Sequence, residues 1–171
     1  MSKRRSKKRL RVMVDANILV AGIAWPRFPY EVLRHATKGD FHLVLSETII
    51  EEARYSLAEI KPSAINTGDL ERYLTATNYE LIAAPTEDAI LAHKGLVRDA
   101  DDIHVALAAD TSKVDFLVTQ DKDFTDRRDD IKQVQEMLNI IIPGTFLLKY
   151  MGWTSIQLEA IKKRTWFDMK G

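Results

Sequence analysis

Short strand-like apolar runs that alternate with segments of helical period constrain this chain more than any other feature. RVMVDAN (11–17), HLVLS (42–46), ELIAAP (80–85), VDFLVTQD (114–121) and IIIPGTF (140–146) have strand length and composition. Between them, ETIIEEARYSLAEI (47–60) places apolar residues at 49, 50, 53, 57 and 60, a helical period. Ser46 is its natural N-cap and Pro62 bars its extension. Strands alternating with helices imply a parallel sheet with helices on both faces and right-handed crossovers. The expected fold is therefore α/β, a three-layer α/β/α arrangement around a central parallel sheet of about five strands.

The remaining segments fit this plan. Gly22, Pro26 and Pro29 mark the stretch after the first strand as turn-rich, and PYEVLRHATKG (29–39) reads as a short helix stopped by Gly39. Helices are also expected at 69–78, 86–96, 99–110 and 130–139, with 61–68 as a loop. Thr154 and Gln157 form a capping-box pattern that opens a C-terminal helix near 155–164. No repeat or linker splits the chain. The expected organisation is a basic tail (1–10), one α/β domain (11–150) and a C-terminal helical extension (151–171).

Composition narrows the chemistry. The absence of cysteine excludes disulfides, thiolate metal sites and a cysteine nucleophile. No apolar run approaches the roughly 20 residues of a membrane span, and no signal-peptide core follows the basic N-terminus, so a cytoplasmic protein without a membrane partner is expected. The net charge of zero conceals an asymmetry. Residues 1–11 hold seven Lys/Arg and no acid, which leaves 18 basic against 25 acidic residues in 12–171, a net of −7. A tail carrying Lys3, Arg4, Arg5, Lys7, Lys8, Arg9 and Arg11 can attract a polyanion such as RNA, and can equally be a solvated end.

Ligands of open α/β sheets bind beyond the carboxyl ends of the strands. Here Asp15 follows RVMV and Asp121 follows FLVTQ. Glu51 and Glu52 lie on the helix that starts straight after the second strand, and Asp99, Asp101 and Asp102 head the helix that feeds the fourth. Acids from distant parts of the chain can thus converge at one edge of the sheet. Such a group repels itself unless a cation neutralises it, and hard divalent ions such as Mg²⁺ or Mn²⁺ suit oxygen ligands. Taken singly, each acid also has a bland explanation as a turn former, a helix-start charge or a solvated face.

The set VDAN, SETIIEE, DADDIHVALAA and LVTQDKDF, in this order and strand context, resembles the PIN-domain family over about residues 11–148, including IIIPGTFLL. The resemblance implies a PIN-like, Rossmann-like sheet and Mg²⁺- or Mn²⁺-dependent ribonuclease activity, with one or two ions. It implies metal ligands and catalytic acids at Asp15, Glu52, Asp102 and Asp121. Asn17, Ser46 and Thr119 match supporting polar positions, with Asp99 and Asp123 as auxiliaries. Many members are toxins of toxin–antitoxin pairs, so an RNA substrate, an antitoxin protein and a homodimer are the expected partners. Metal ions held by such carboxylates can lower the pKa of a water and clamp the oxygens of an in-line displacement.

Helix phase separates neighbouring acids without the family. At 100° per residue, Glu52 flanks the apolar face centred on Ala53, whereas Glu51 points toward solvent. On the 99–110 helix, Asp99 and Asp102 flank the buried side and Asp101 points nearly opposite. His35, His42, His93 and His104 form no catalytic pairing, and no G-x-G-x-x-G follows the first strand. Two other readings stay open at this point. One is a non-catalytic PIN-like module that binds RNA or protein. The other is a receiver-type phosphoryl-transfer protein using Asp15, with Thr119 and Lys122 in support.

Overall fold

The computed structural model describes residues 9–60, 68–126 and 132–170. Five strands form one sheet: β1 (Arg11–Val14), β2 (His42–Ser46), β3 (Tyr79–Ile82), β4 (Phe116–Val118) and β5 (Ile140–Ile141). Their spatial order is β3-β2-β1-β4-β5 and every pairing is parallel. Val12, Met13 and Val14 of β1, and Leu43, Val44 and Leu45 of β2, have no solvent-accessible surface. Central strands covered on both faces require this continuous apolar character.

Right-handed crossovers fix where the helices go. The chain steps from β1 through β2 to β3 in one direction, then returns to β4 and β5 on the other side of β1. The first set of helices, α1 (Ala16–Ala24), α2 (Phe28–Thr37), α3 (Glu47–Glu59) and α4 (Gly68–Ala76), therefore covers one face, and α1 packs against the other three. The other face takes α5 (Glu87–Ala92), α6 (Ile103–Thr111), α7 (Lys122–Thr125) and α8 (Lys132–Met137). After β5, α9 (Pro143–Tyr150) packs on α2 and is followed by α10 (Ser155–Ile161). Among the described residues no helix is long and apolar enough to cross a membrane.

Three local expectations change. The stretch after β1 is a helix, not a turn. Asp15 caps α1 by accepting from the Ile18 amide at 3.0 Å. Pro26 lies beyond the end of α1, and Pro29 occupies the first turn of α2, where a missing N–H costs nothing. IIIPGTF is not one strand: β5 keeps two residues, and Pro143 begins α9. The 99–110 segment opens as a 3-10 turn (Ala100–Asp102) before α6 begins. The helix expected at 130–139 appears as α8, with residues 130 and 131 outside the described residues, as is 61–67.

The C-terminal extension is clasped to α1 and α2. The Arg164 guanidinium donates to Glu31 Oε1 at 2.8 Å and to the Pro26 carbonyl at 2.6 Å. The Trp166 indole N–H reaches the Ala24 carbonyl at 2.8 Å, and its ring meets Tyr30 edge-on. Trp153 donates to His35 Nε2 at 2.8 Å, which leaves His35 Nδ1 to donate to Asp40 at 2.7 Å. The capping box of Thr154 and Gln157 starts α10 as expected from the sequence.

Candidate metal centre

The strand order reverses between β1 and β4, the switch point at which such sheets open a crevice at their carboxyl edge. Val14 pairs with Val118, so the next residues of both strands, Asp15 and Thr119, emerge side by side. The Thr119 hydroxyl donates to Asp15 Oδ2, and Asp15 Oδ1 holds the Ile18 amide. Both carboxylate oxygens of Asp15 are therefore oriented by neighbours. Among the described residues, no lysine pairs with Asp15. Burial raises its pKa to about 6; the hydrogen bonds from Thr119 and Ile18 pull it down, and Asp121 and Glu52 push it up.

The other acids arrive on helix starts and on one helix flank. Ser46 is fully buried and caps α3 through the Ile49 amide at 3.2 Å, fixing the helix that carries Glu52. Glu52 Oε1 lies 2.7 Å from Nε2 of His104, a buried residue of α6. Asp121 caps α7 by accepting from the Asp123 amide at 2.9 Å, and its own amide donates to Thr119 Oγ1 at 3.0 Å. Asp99 caps the 3-10 turn through the Asp101 amide at 2.9 Å.

Asp15, Asn17, Glu52, Tyr55, Asp101 and Asp102 line a cleft of about 310 Å³. Asp102 is raised to about 8, by burial first and then by Asp121, Asp99 and Asp123. Its Oδ2 is buried without a hydrogen-bond partner. One oxygen each from Asp99, Asp102 and Asp123 can lie within 4.8 Å of one another. Asp123 also meets Arg98 at 2.7 Å, in a geometry that makes an ion pair but not an aligned hydrogen bond. An all-carboxylate donor set with an orphaned, charge-crowded oxygen fits a hard divalent cation. The tightest oxygen group among the described residues thus uses two acids that the sequence ranked as auxiliaries.

Helix phase and structure agree on one pair and diverge on the other. Glu51 faces a separate groove with Arg54 and Glu71, away from the cleft that Glu52 lines. Asp101, by contrast, does line the cleft, because residues 100–102 wind as a 3-10 turn and not as an α-helix. Three residues per turn also bring Asp99 beneath Asp102. Sequence reasoning passed over His104 as a partner of Glu52. The available signal was a polar residue inside the otherwise apolar run IHVALAA, since a buried imidazole needs a partner.

The basic residues of the tail do not reach this edge where they are described. Arg11 begins β1, at the opposite end from Asp15, and pairs with Glu80 at 2.6 Å. Arg9 donates to the Gly39 carbonyl at 3.3 Å. Lys3, Arg4, Arg5, Lys7 and Lys8 lie outside the described residues.

A family model described as PIN domain matches residues 11–123. No curated protein matches the sequence. Among solved structures, the chain is similar to PAE2754 from Pyrobaculum aerophilum, with 18% identity, a TM-score of 0.56, and coverage of 84% of this chain and 97% of that one. It is also similar to VapBC2 from Rickettsia felis, solved bound to a DNA fragment from their promoter, with 20% identity, a TM-score of 0.54, and coverage of 78% and 98%. FitAcB from Neisseria gonorrhoeae matches at 14% identity and a TM-score of 0.51, over 78% and 98%. At these identities the likeness to the solved structures is one of fold.

Proposed function

The chain belongs to the PIN-domain family, and from that premise we propose that it is a divalent-metal-dependent endoribonuclease, acting as the toxin of a toxin–antitoxin pair. The observation that carries this reading is the crowding of carboxylates at the β1–β4 switch point, where Asp102 Oδ2 is buried without a partner. Asp15, Glu52, Asp102 and Asp121 would hold the metal, with Asp99 and Asp123 completing the donor set. Bound there, one or two Mg²⁺ or Mn²⁺ ions would activate a water and neutralise charge developing on the phosphodiester.

The protein groups around those acids supply orientation. Thr119 and the Ile18 amide fix both oxygens of Asp15. His104 Nε2 holds one oxygen of Glu52 and leaves the other free. The Asp123 amide holds Asp121. Ligands held this way do not need to reorganise when substrate arrives. The histidines give no competing mechanism: His35 serves Asp40 and Trp153, and His93 bonds the Ala89 carbonyl of its own helix at 2.7 Å. An antitoxin protein is the partner this reading implies, in keeping with the VapBC2 and FitAcB structures among the similar folds. A homodimer and a cytoplasmic location belong to the same reading.

Cleavage of a labelled RNA in Mg²⁺ or Mn²⁺, with and without EDTA, tests the proposal. Activity should vanish on chelation and return with metal. Glu52→Gln and Asp102→Asn should lower the rate by orders of magnitude while circular dichroism stays native. Glu51→Gln, which alters a solvated charge in another groove, should stay near wild type. Full activity in excess EDTA, or active Asp102→Asn, overturns the assignment.

A further inference from the structure

The carboxylate cleft lies at the N-terminal end of α1. A second cleft, of about 360 Å³, lies at the other end, lined by Trp25, Arg27, Phe28, Gln120 and Lys162 among others. No acid lines it, although residues 12–171 carry a net charge of −7. Gln120 stands between Thr119 and Asp121, so this second cleft adjoins the carboxylates along the β4 loop.

Its cations are unneutralised. Arg27 uses only Nε, bonding the Arg164 carbonyl at 3.2 Å, and neither Arg27 nor Lys162 makes an ion pair among the described residues. Trp25 is 46% exposed, and its indole makes no hydrogen bond among them. Lys162 comes from the C-terminal extension, beyond the matched family region. Its place is built: two residues on, Arg164 is locked to the Pro26 carbonyl and to Glu31, whose side chain is 4% exposed.

We infer that this second cleft binds single-stranded RNA beside the scissile phosphodiester, with Trp25 stacking on an unpaired base and Arg27 and Lys162 contacting phosphates. The inference rests on the ribonuclease reading for its substrate. An acidic pocket repels a polyanion, so a strand entering it needs cations nearby. Arg9 and Arg11 stand at the far edge of the sheet and cannot supply them. An exposed aromatic beside unpaired cations is the arrangement that recognises unpaired bases, since every base offers a face for stacking. A duplex keeps those faces covered.

Fluorescence anisotropy of a labelled 12-nucleotide single-stranded RNA, on the full chain in EDTA, separates binding from cleavage. Trp25→Ala should weaken binding roughly tenfold, and Trp25→Phe should keep most of it. Lys162→Glu and Arg27→Gln should each weaken binding and flatten the slope of log affinity against log salt by about 0.7. Lys162→Glu is decisive if Arg27→Gln disturbs the clasp, because Lys162 makes no side-chain bond among the described residues. Binding of the same RNA annealed as a duplex should be insensitive to Trp25→Ala.

The two readings fail separately. If wild type cleaves RNA in Mn²⁺, yet Lys162→Glu and Trp25→Ala leave both Kd and KM unchanged, the second cleft is not an RNA site and the ribonuclease reading stands. If wild type never cleaves, but both variants weaken binding, the cleft is an RNA site on a protein that is not a ribonuclease. Absence of RNA binding by folded wild type overturns the inference whatever the cleavage assay gives.

Discussion

Within the acidic cleft, identical side chains acquire different properties from their neighbours. Asp15 and Asp102 are both aspartates beside other acids, yet Asp15 stands near 6 and Asp102 near 8. Burial raises both, but Asp15 receives two hydrogen bonds that favour its charged form, whereas Asp102 has an oxygen with none. A carboxyl whose pKa is higher folded than unfolded binds more protons in the native state. The stability these two contribute is full below about pH 4 and is lost as pH rises through 6 and then 8. Thermal unfolding in EDTA should therefore give a Tm that declines from about pH 5 to about pH 9. Asp102→Asn should flatten the upper part of that decline and Asp15→Asn the lower part, since Asn can still cap α1. Added Mn²⁺ should raise Tm more at the alkaline end, because the ligands must be deprotonated to bind it. A Tm profile unchanged in Asp102→Asn would contradict this account. The identities of these acids were legible in the sequence. The His104–Glu52 contact was not, because it joins residues 52 apart in the chain, one on α6 and the other on α3 across the sheet.

Elements show why punctuation residues mislead when read locally. Gly22 looks like a turn signal, but it lies buried within α1 where that helix meets α2. A Cβ there would stand 2.4 Å from Leu33 Cδ1 and 3.1 Å from the Pro29 carbonyl oxygen. Two effects oppose each other in Gly22→Ala. Helix propensity favours alanine by roughly 1 kcal/mol, and overpacking costs roughly 1–3 kcal/mol. Leu33 is itself almost fully buried and the second neighbour is backbone, so relief is limited and overpacking wins. Urea denaturation should show Gly22→Ala destabilised by up to about 2 kcal/mol net. A more stable Gly22→Ala would mean that the two helices separate easily. The 3-10 turn before α6 teaches the same lesson for spacing. DADD is legible as an acidic helix start, but its winding decides which carboxylates share a face, and that winding depends on how the segment enters α6.

At the scale of the whole molecule, whose net charge is zero, the C-terminal segment is clasped to the α/β domain by a nearly buried ion pair. Glu31 is 4% exposed and Arg164 17% exposed at the side chain, 2.8 Å apart, with Arg34 a more distant 3.6 Å from the same oxygen. Removing one partner of such a pair strands a charge, whereas replacing both with apolar groups does not. Arg164→Leu should lower the unfolding free energy by roughly 3 kcal/mol, and the double variant Glu31→Leu/Arg164→Leu should regain most of it. Equal losses in the single and double variants would show that the cost comes from losing the clasp itself and not from a stranded Glu31 charge. If the RNA cleft is as inferred, Arg164→Leu should also weaken RNA binding by releasing Lys162.

Strand and helix alternation, the apolar faces and the acids at strand ends follow from local composition, because a buried parallel strand and a capped helix each carry their own pattern. The sequence therefore determined the α/β class, the parallel sheet and the identities of Asp15, Glu52, Asp102 and Asp121 as candidates. Only tertiary structure decided the strand order that brings Asp15 beside Thr119, the His104 contact to Glu52 and the prominence of Asp99 and Asp123. It also decided that Lys162 faces Trp25 and Arg27 across 135 or more residues of chain. Side-chain contacts of that sequence separation depend on how whole elements pack, and no local periodicity encodes them.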